Sequence, residues 1–192
     1  VAYLYKTMID TQDSAQYLFE QSQRGRTQVD FPAIRFGQEL ALVARLILAD
    51  TDTQVYYVSL TGFDTHANQK NQQERLLRQY AEGVAAFTEE LRRHDLLDDT
   101  LVLTFSEFGR RVAQNASNGT DHGAANNLFL MGGGLRSGGF YNEGPDLLDL
   151  ADGDVKYAVD FRSVYATVLE RWLDASPKVV LGDRFGLLDV LG

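Results

Sequence analysis

The sequence predicts an α/β fold in which a mostly parallel sheet carries helices on both faces. Two short runs, QVYYVSL (Gln54–Leu60) and TLVLTFS (Thr100–Ser106), are rich in the β-branched and aromatic residues of buried strands. Between them, Asn71–Arg93 repeats Leu76, Leu77, Tyr80, Val84, Phe87 and Leu91 at helical spacing. Strand, long helix and strand make a βαβ unit, whose parallel strands are joined by a right-handed crossover. With 192 residues, 44% of them hydrophobic and 23% charged, the chain suits a single domain over residues 1–192 with a sizeable core.

The first helix is expected over VAYLYKTMIDTQDSAQYLFEQSQ, with Tyr5, Met8, Ile9, Tyr17 and Leu18 apolar. It begins at Val1 without an initiator Met, a charged leader or an apolar signal core, so the chain is expected to be a piece of something longer. Arg24 to Pro32 is a polar loop. Phe36–Asp50 then places Leu40, Val43, Ala44, Ile47 and Leu48 on one helical face. GFDTHANQ is the loop after the first strand. The cations Arg92, Arg93 and His94 end the long helix, where they suit the negative end of its dipole, and His94 is expected at the surface. Glu107 to Asn126 is a connection rich in Asn, Gly and Ser, and loops of that length are often functional. NLFLMG (Asn127–Gly132) is a short third strand, and GGGLRSGGFYNEGP is glycine punctuation. Asp160 caps a last helix, FRSVYATVLERWL, which buries Val164, Tyr165, Val168, Leu169 and Trp172.

Charge and composition exclude several functions. The net charge of −9 repels phosphate backbones, and no Lys/Arg cluster longer than a pair offsets it, so nucleic acid is not an expected partner. No apolar run approaches the roughly 18 residues that span a bilayer. The absence of cysteine removes disulfides, thiolate nucleophiles and Cys-ligated zinc.

Of the three histidines, two stand beside an aspartate in polar motifs. Asp64 and His66 follow the first predicted strand, and residues two apart in extended backbone project to one side. Glu107 follows the second strand. If those strands are parallel, all three emerge at the carboxyl edge, where open α/β sheets bind ligands. Asp121 and His122 lie in GTDHG, between glycines that let the backbone turn sharply. They reach the same edge if the third strand runs antiparallel to its predecessor, or if the loop crosses back. His122 is then a ligand, and Asp121 a second ligand or an orienting partner.

Imidazoles and carboxylates in such a set suit a divalent metal, zinc or manganese foremost and iron as well, with water completing the shell. Glu107 could instead act as a general base. The plainer readings are an Asx-turn at Asp64, a hydrogen-bonded surface histidine at His66, and a helix start at SEFGR capped by Ser106. Asn115-Ala-Ser117 and Asn118-Gly-Thr120 match the glycosylation pattern by chance. DLLDLADGD (Asp146–Asp154) lacks the ligand spacing of a calcium loop and reads as a solvated loop.

At GFDTHANQ, SEFGRRVAQNASNGTDHGAANNLFLMGGGLRSGGFY and VDFRSVYATVLERWL the chain resembles the C-terminal half of a bacterial family called domain of unknown function fifteen-oh-one. That family is described as sulfatase-like and often carries a twin-arginine export signal, which implies a periplasmic or exported protein. It resembles in turn the alkaline phosphatase and sulfatase superfamily, with its metal-bearing α/β sheet. The resemblance makes Asp64 and His66 the first metal pair and His122 the later histidine that completes it. Glu107 and Phe108 fall where an Asp-His pair for a second metal is expected, and phenylalanine ligates nothing. The superfamily's first aspartate and its Ser/Thr nucleophile would belong to an N-terminal half.

The implied reaction is hydrolysis of a sulfate or phosphate ester, on a small molecule or a glycan. Arg110 is then a candidate for bidentate anion contact, against the plain reading of a surface arginine. The rival function is a non-catalytic binding or scaffold protein that keeps the fold without the chemistry. A structural domain with no ligand would leave the long polar connection without a role.

Overall fold

The computed structural model describes residues 2–192, without the side chains of residues 2 and 4. Val1, where the sequence-based helix begins, lies outside the described residues. The described residues form two compact units: 2–64 with Asn71–Leu96, and Thr65–Lys70 with Leu97–Gly192.

The first unit is helical. It contains α1 (Ala2–Ser22), α2 (Arg35–Leu48) and all but the first two residues of α3 (Gln69–Arg93). Helix α1 forms where expected, yet Tyr5, Met8, Ile9, Tyr17 and Leu18 are exposed, and its buried residues are Gln21 and Ser22 at the end. The core lies between α2 and α3. Phe36, Leu40, Ala41, Ala44 and Leu46 of α2 are buried, as are Leu76, Ala86, Phe87 and Leu91 of α3. Gly83 lets the helices approach, since a Cβ there would stand 2.8 Å from the Phe36 ring. Leu77, expected on the inner face, is 56% exposed, because the seam runs through Leu76, Gly83 and Glu90 instead.

Glu90 is fully buried on that seam. Its carboxylate accepts from the backbone N–H of Gln28 (3.0 and 2.9 Å) and of Val29 (2.7 Å), which docks the connection between α1 and α2. A buried carboxylate is tolerated when its lone pairs are filled in this way. His94 is correspondingly drawn inward, contrary to its expected surface position. Its side chain is 26% exposed, with Nε2 at 3.1 Å from the Glu90 carboxylate.

The segment Gln54–Leu60, where a strand is expected, belongs to this first unit and lies outside its helices. Val55 and Tyr57 are 66% and 75% exposed, while Tyr56, Val58 and Leu60 are half-buried. The alternating exposure of an extended segment is present.

The second unit holds β1 (Leu101–Thr104), β2 (Gly109–Gln114), β3 (Thr120–Gly123), β4 (Phe129–Gly132), β5 (Leu150–Ala151), β6 (Asp154–Val155), α4 (Phe161–Arg171) and α5 (Pro177–Leu181). Among the described residues the ladders are three two-stranded antiparallel sheets, β1–β4, β2–β3 and β5–β6. The first of these makes the third predicted strand antiparallel to its predecessor, with Leu101 opposite Gly132 and Thr104 opposite Phe129.

Glycine supplies the close approaches. A Cβ on Gly133 would stand 1.6 Å from the Asp98 carbonyl oxygen, and one on Gly134 would meet the Trp172 ring at 2.8 Å. The C-terminal segment closes over this run, with Gly192 N–H donating to the Gly134 carbonyl at 2.8 Å and Leu191 buried. Asp160 caps α4 as expected, accepting from the Arg162 N–H at 2.9 Å. Asp146–Asp154 is not wholly loop: Asp152 and Gly153, both at positive φ, turn the β5–β6 hairpin.

Candidate metal centre

The connection Glu107–Asn126, expected as loop, is mostly the β2–β3 hairpin. Its register sets Gly109 opposite Gly123, Arg110 opposite His122 and Gln114 opposite Thr120, with an irregularity between Arg110 and Gln114. The glycines flanking Asp121 and His122 act by closeness rather than by turning. A Cβ on Gly123 would lie 2.5 Å from the Arg110 backbone, and one on Gly119 would lie 2.4 Å from the His66 carbonyl oxygen. The sequence signal missed here is the Asn118-Gly119 pair at the turn, with Asn118 at φ 57°.

The hairpin turn holds the loop that carries His66. Asn68 N–H donates to the Ser117 carbonyl and Gln69 N–H to the Asn118 carbonyl, each at 3.0 Å. Asn115 Nδ2 donates to the His66 carbonyl at 3.0 Å. The Thr120 hydroxyl donates to Gln69 Oε1 at 3.0 Å. Arg110 Nη1 donates to the carbonyls of Thr65 (2.8 Å) and Thr120 (2.6 Å). The guanidinium expected to contact an anion is thus tied to the backbone on both sides of the site.

Loop and hairpin bring two histidines face to face. His66 Nε2 and His122 Nε2 are 2.9 Å apart, and the ring centroids 4.7 Å. Asp64 is joined to His66 through buried Thr65 alone. One ligand atom from each of Asp64, His66 and His122 lies within 4.8 Å of the others, and all three residues are exposed. For comparison, two nitrogens bound to one zinc in tetrahedral geometry are about 3.3 Å apart. The donor set and its spacing fit a divalent ion.

The other expected residues stand around this group. Asp121 Oδ1 is 3.9 Å from His66 Nδ1 and accepts from Asn115 Nδ2 at 3.2 Å. Glu107 is exposed and lies outside the cluster of three. Phe108, its neighbour, packs its ring against His122 with an interplanar angle of 25°, and the Arg110 guanidinium stands 5.3 Å from the centre of the phenyl ring. Phe108 is anchored in turn through its carbonyl, which accepts from the Ser106 hydroxyl (3.0 Å) and from Asn126 Nδ2 (2.9 Å). Nothing in the sequence pointed to Phe108 as a wall of the site, because stacking across a hairpin leaves no local periodicity.

Among the described residues no helix is long and apolar enough to cross a membrane. Neither a curated protein nor a solved structure matches the chain significantly. One family model does, described as Protein of unknown function (DUF1501), and it matches residues 5–179. That match takes in both histidine-bearing segments and the hairpin that joins them, so the chain belongs to the DUF1501 family.

Proposed function

We propose that this chain supplies a divalent-metal site, formed by Asp64, His66 and His122, to a sulfatase- or phosphatase-like ester hydrolase. The approach of the three side chains to within 4.8 Å carries the reading. Two imidazoles and a carboxylate suit zinc or manganese and leave coordination positions for water or substrate. A bound ion would polarise the ester oxygen and activate a nucleophile. The protein's own part is to hold the ligands, with Phe108 packed on one imidazole and the Asn115 turn bound to the backbone of the other.

The sulfatase and phosphatase likeness of the sequence motifs supports the reaction class and an exported location. By the same likeness, the nucleophile and a further aspartate would come from a segment preceding these residues. A mostly parallel α/β sheet with helices on both faces, with Gln54–Leu60 and Thr100–Ser106 as parallel strands, is part of the same reading. Small-molecule and glycan sulfate or phosphate esters are the proposed substrates.

The rival is a binding or scaffold protein that keeps the ion site without turnover. Phe108 favours it, because a phenyl ring, packed against His122, stands where the likeness calls for a second-metal ligand. Elemental analysis of natively purified full-length protein, followed by turnover of chromogenic phosphate and sulfate esters, separates the two. About one zinc or manganese per chain is expected, lost in His66→Ala and in His122→Ala but kept in His94→Ala. Metal retained by the double histidine variant would place the site elsewhere.

A further inference from the structure

We propose that Asn115 is the positioning residue that fixes the spacing of His66 and His122. Its importance for ion binding rests on the metal-site reading above, whereas its effect on the two rings does not.

A primary amide has two donor hydrogens at one end and an acceptor oxygen at the other. Both ends of Asn115 are engaged. Its Oδ1 accepts from the N–H groups of Ser117 (2.9 Å) and Gly119 (3.0 Å), which shapes its own turn. The backbone closes that turn as Asn115 N–H donates to the Gly119 carbonyl at 2.8 Å. Its Nδ2 faces outward and donates to the His66 carbonyl (3.0 Å) and to Asp121 Oδ1 (3.2 Å). The partners dictate this orientation, since a flipped amide would set donor against donor on one side and acceptor against acceptor on the other.

One half-buried side chain therefore ties the backbone of the first histidine to the residue preceding the second. No other residue type reproduces the tie. Aspartate keeps the acceptor but lacks the donors, alanine lacks both, and glutamine is one methylene too long. The same geometry accounts for the Asn115-Ala-Ser117 pattern without glycosylation, because the nitrogen that a glycan would need is already committed. Groups that orient metal ligands in this indirect way affect ion affinity by about 10–100-fold.

The test uses the full 192-residue chain, with Co2+ as the probe ion. Wild type, Asn115→Ala, Asn115→Asp and His122→Ala are compared by Co2+ titration, by the visible spectrum of bound Co2+ and by thermal melting without metal. Asn115→Asp is the decisive variant. It retains the acceptor for Ser117 and Gly119, so the turn stays folded, but it sets a carboxylate against the His66 carbonyl and Asp121. The expected result is Co2+ binding about 10–100-fold weaker with an altered spectrum, at a melting temperature close to that of wild type.

A further measurement needs no ion. In metal-free protein, cross-relaxation between the His66 and His122 ring protons should be present in wild type and lost in Asn115→Asp. If wild type binds no Co2+, or His122→Ala binds it equally well, the metal-site reading falls and the ring measurement alone decides the role of Asn115. If Asn115→Asp keeps the ring contact, the Co2+ affinity and the spectrum, Asn115 is not the positioning residue.

Discussion

Phe108, immediately before β2, and His122 in β3 have their rings stacked at an interplanar angle of 25°. An imidazole held by a neighbouring ring loses fewer orientations when it takes an ion. Aromatic pairs of this kind contribute about 0.5–1.5 kcal/mol beyond simple burial. Phe108→Leu, which keeps an apolar side chain but no ring, should weaken Zn2+ binding by roughly 2–10-fold at this coupling strength. Competition against a chromophoric chelator reads the change. Unaltered affinity in Phe108→Leu would show that the stack does not orient His122.

Gly119 touches the carbonyl of the other histidine. An alanine Cβ there would stand 2.4 Å from the His66 oxygen, and backbone cannot yield as a flexible side chain can. Gly119→Ala should destabilise the hairpin by about 1–3 kcal/mol, the usual cost of overpacking. It should also separate the two imidazoles. Amide hydrogen exchange at Asn68 and Gln69, whose N–H groups are bonded to the turn, should accelerate. Wild-type protection at both amides would contradict this.

Glu90 is the buried acceptor of the helical unit. Glu90→Ala leaves the N–H groups of Gln28 and Val29 without their acceptor and should cost about 3 kcal/mol in urea unfolding. Glu90→Gln keeps one acceptor oxygen and should cost clearly less. Equal losses for the two substitutions would mean that the negative charge, rather than the hydrogen bonds, supports the α1–α2 connection.

Asp160 gives a pH dependence with a definite sign. Hydrogen bonds from the Arg162 side chain and then from its backbone N–H hold the Asp160 carboxyl below its ordinary value. A carboxyl lowered by folding stabilises the native state above the unfolded value of about 3.9 and ceases to do so as pH falls through the lower folded value. Asp160→Asn should therefore melt below wild type at neutral pH, with the gap closing in acid. A gap that persists unchanged at low pH would rule out the ionised cap as its source.

The helices were legible because their signal is repeated. In α2 and α3 the apolar spacing recurs over several turns, and at α4 the capping aspartate announces the start. The β2–β3 hairpin was missed because no such repeat marks it. GRRVAQ and TDHG have no apolar alternation, and they are held by glycine approaches and an asparagine turn instead. Asp64, His66 and His122 were legible as candidates through their residue types. The parts played by Arg110, Asn115 and Phe108 depend on contacts across the hairpin, which spacing along the chain does not encode.

The 2.9 Å separation of His66 Nε2 and His122 Nε2 has a consequence for how an ion would enter. A hydrogen bond at that distance needs one nitrogen to carry a hydrogen and the other to offer its lone pair. An ion that takes both nitrogens needs both lone pairs. A hydrogen on either Nε2 must therefore be exchanged for one on the far nitrogen of the same ring, which keeps that ring neutral. For His66 that far nitrogen is Nδ1, which has the Asp121 carboxylate 3.9 Å away. Uptake in this sense asks one ring to change tautomer with no net loss of a proton, a rearrangement separate from the strength with which the ion is finally held.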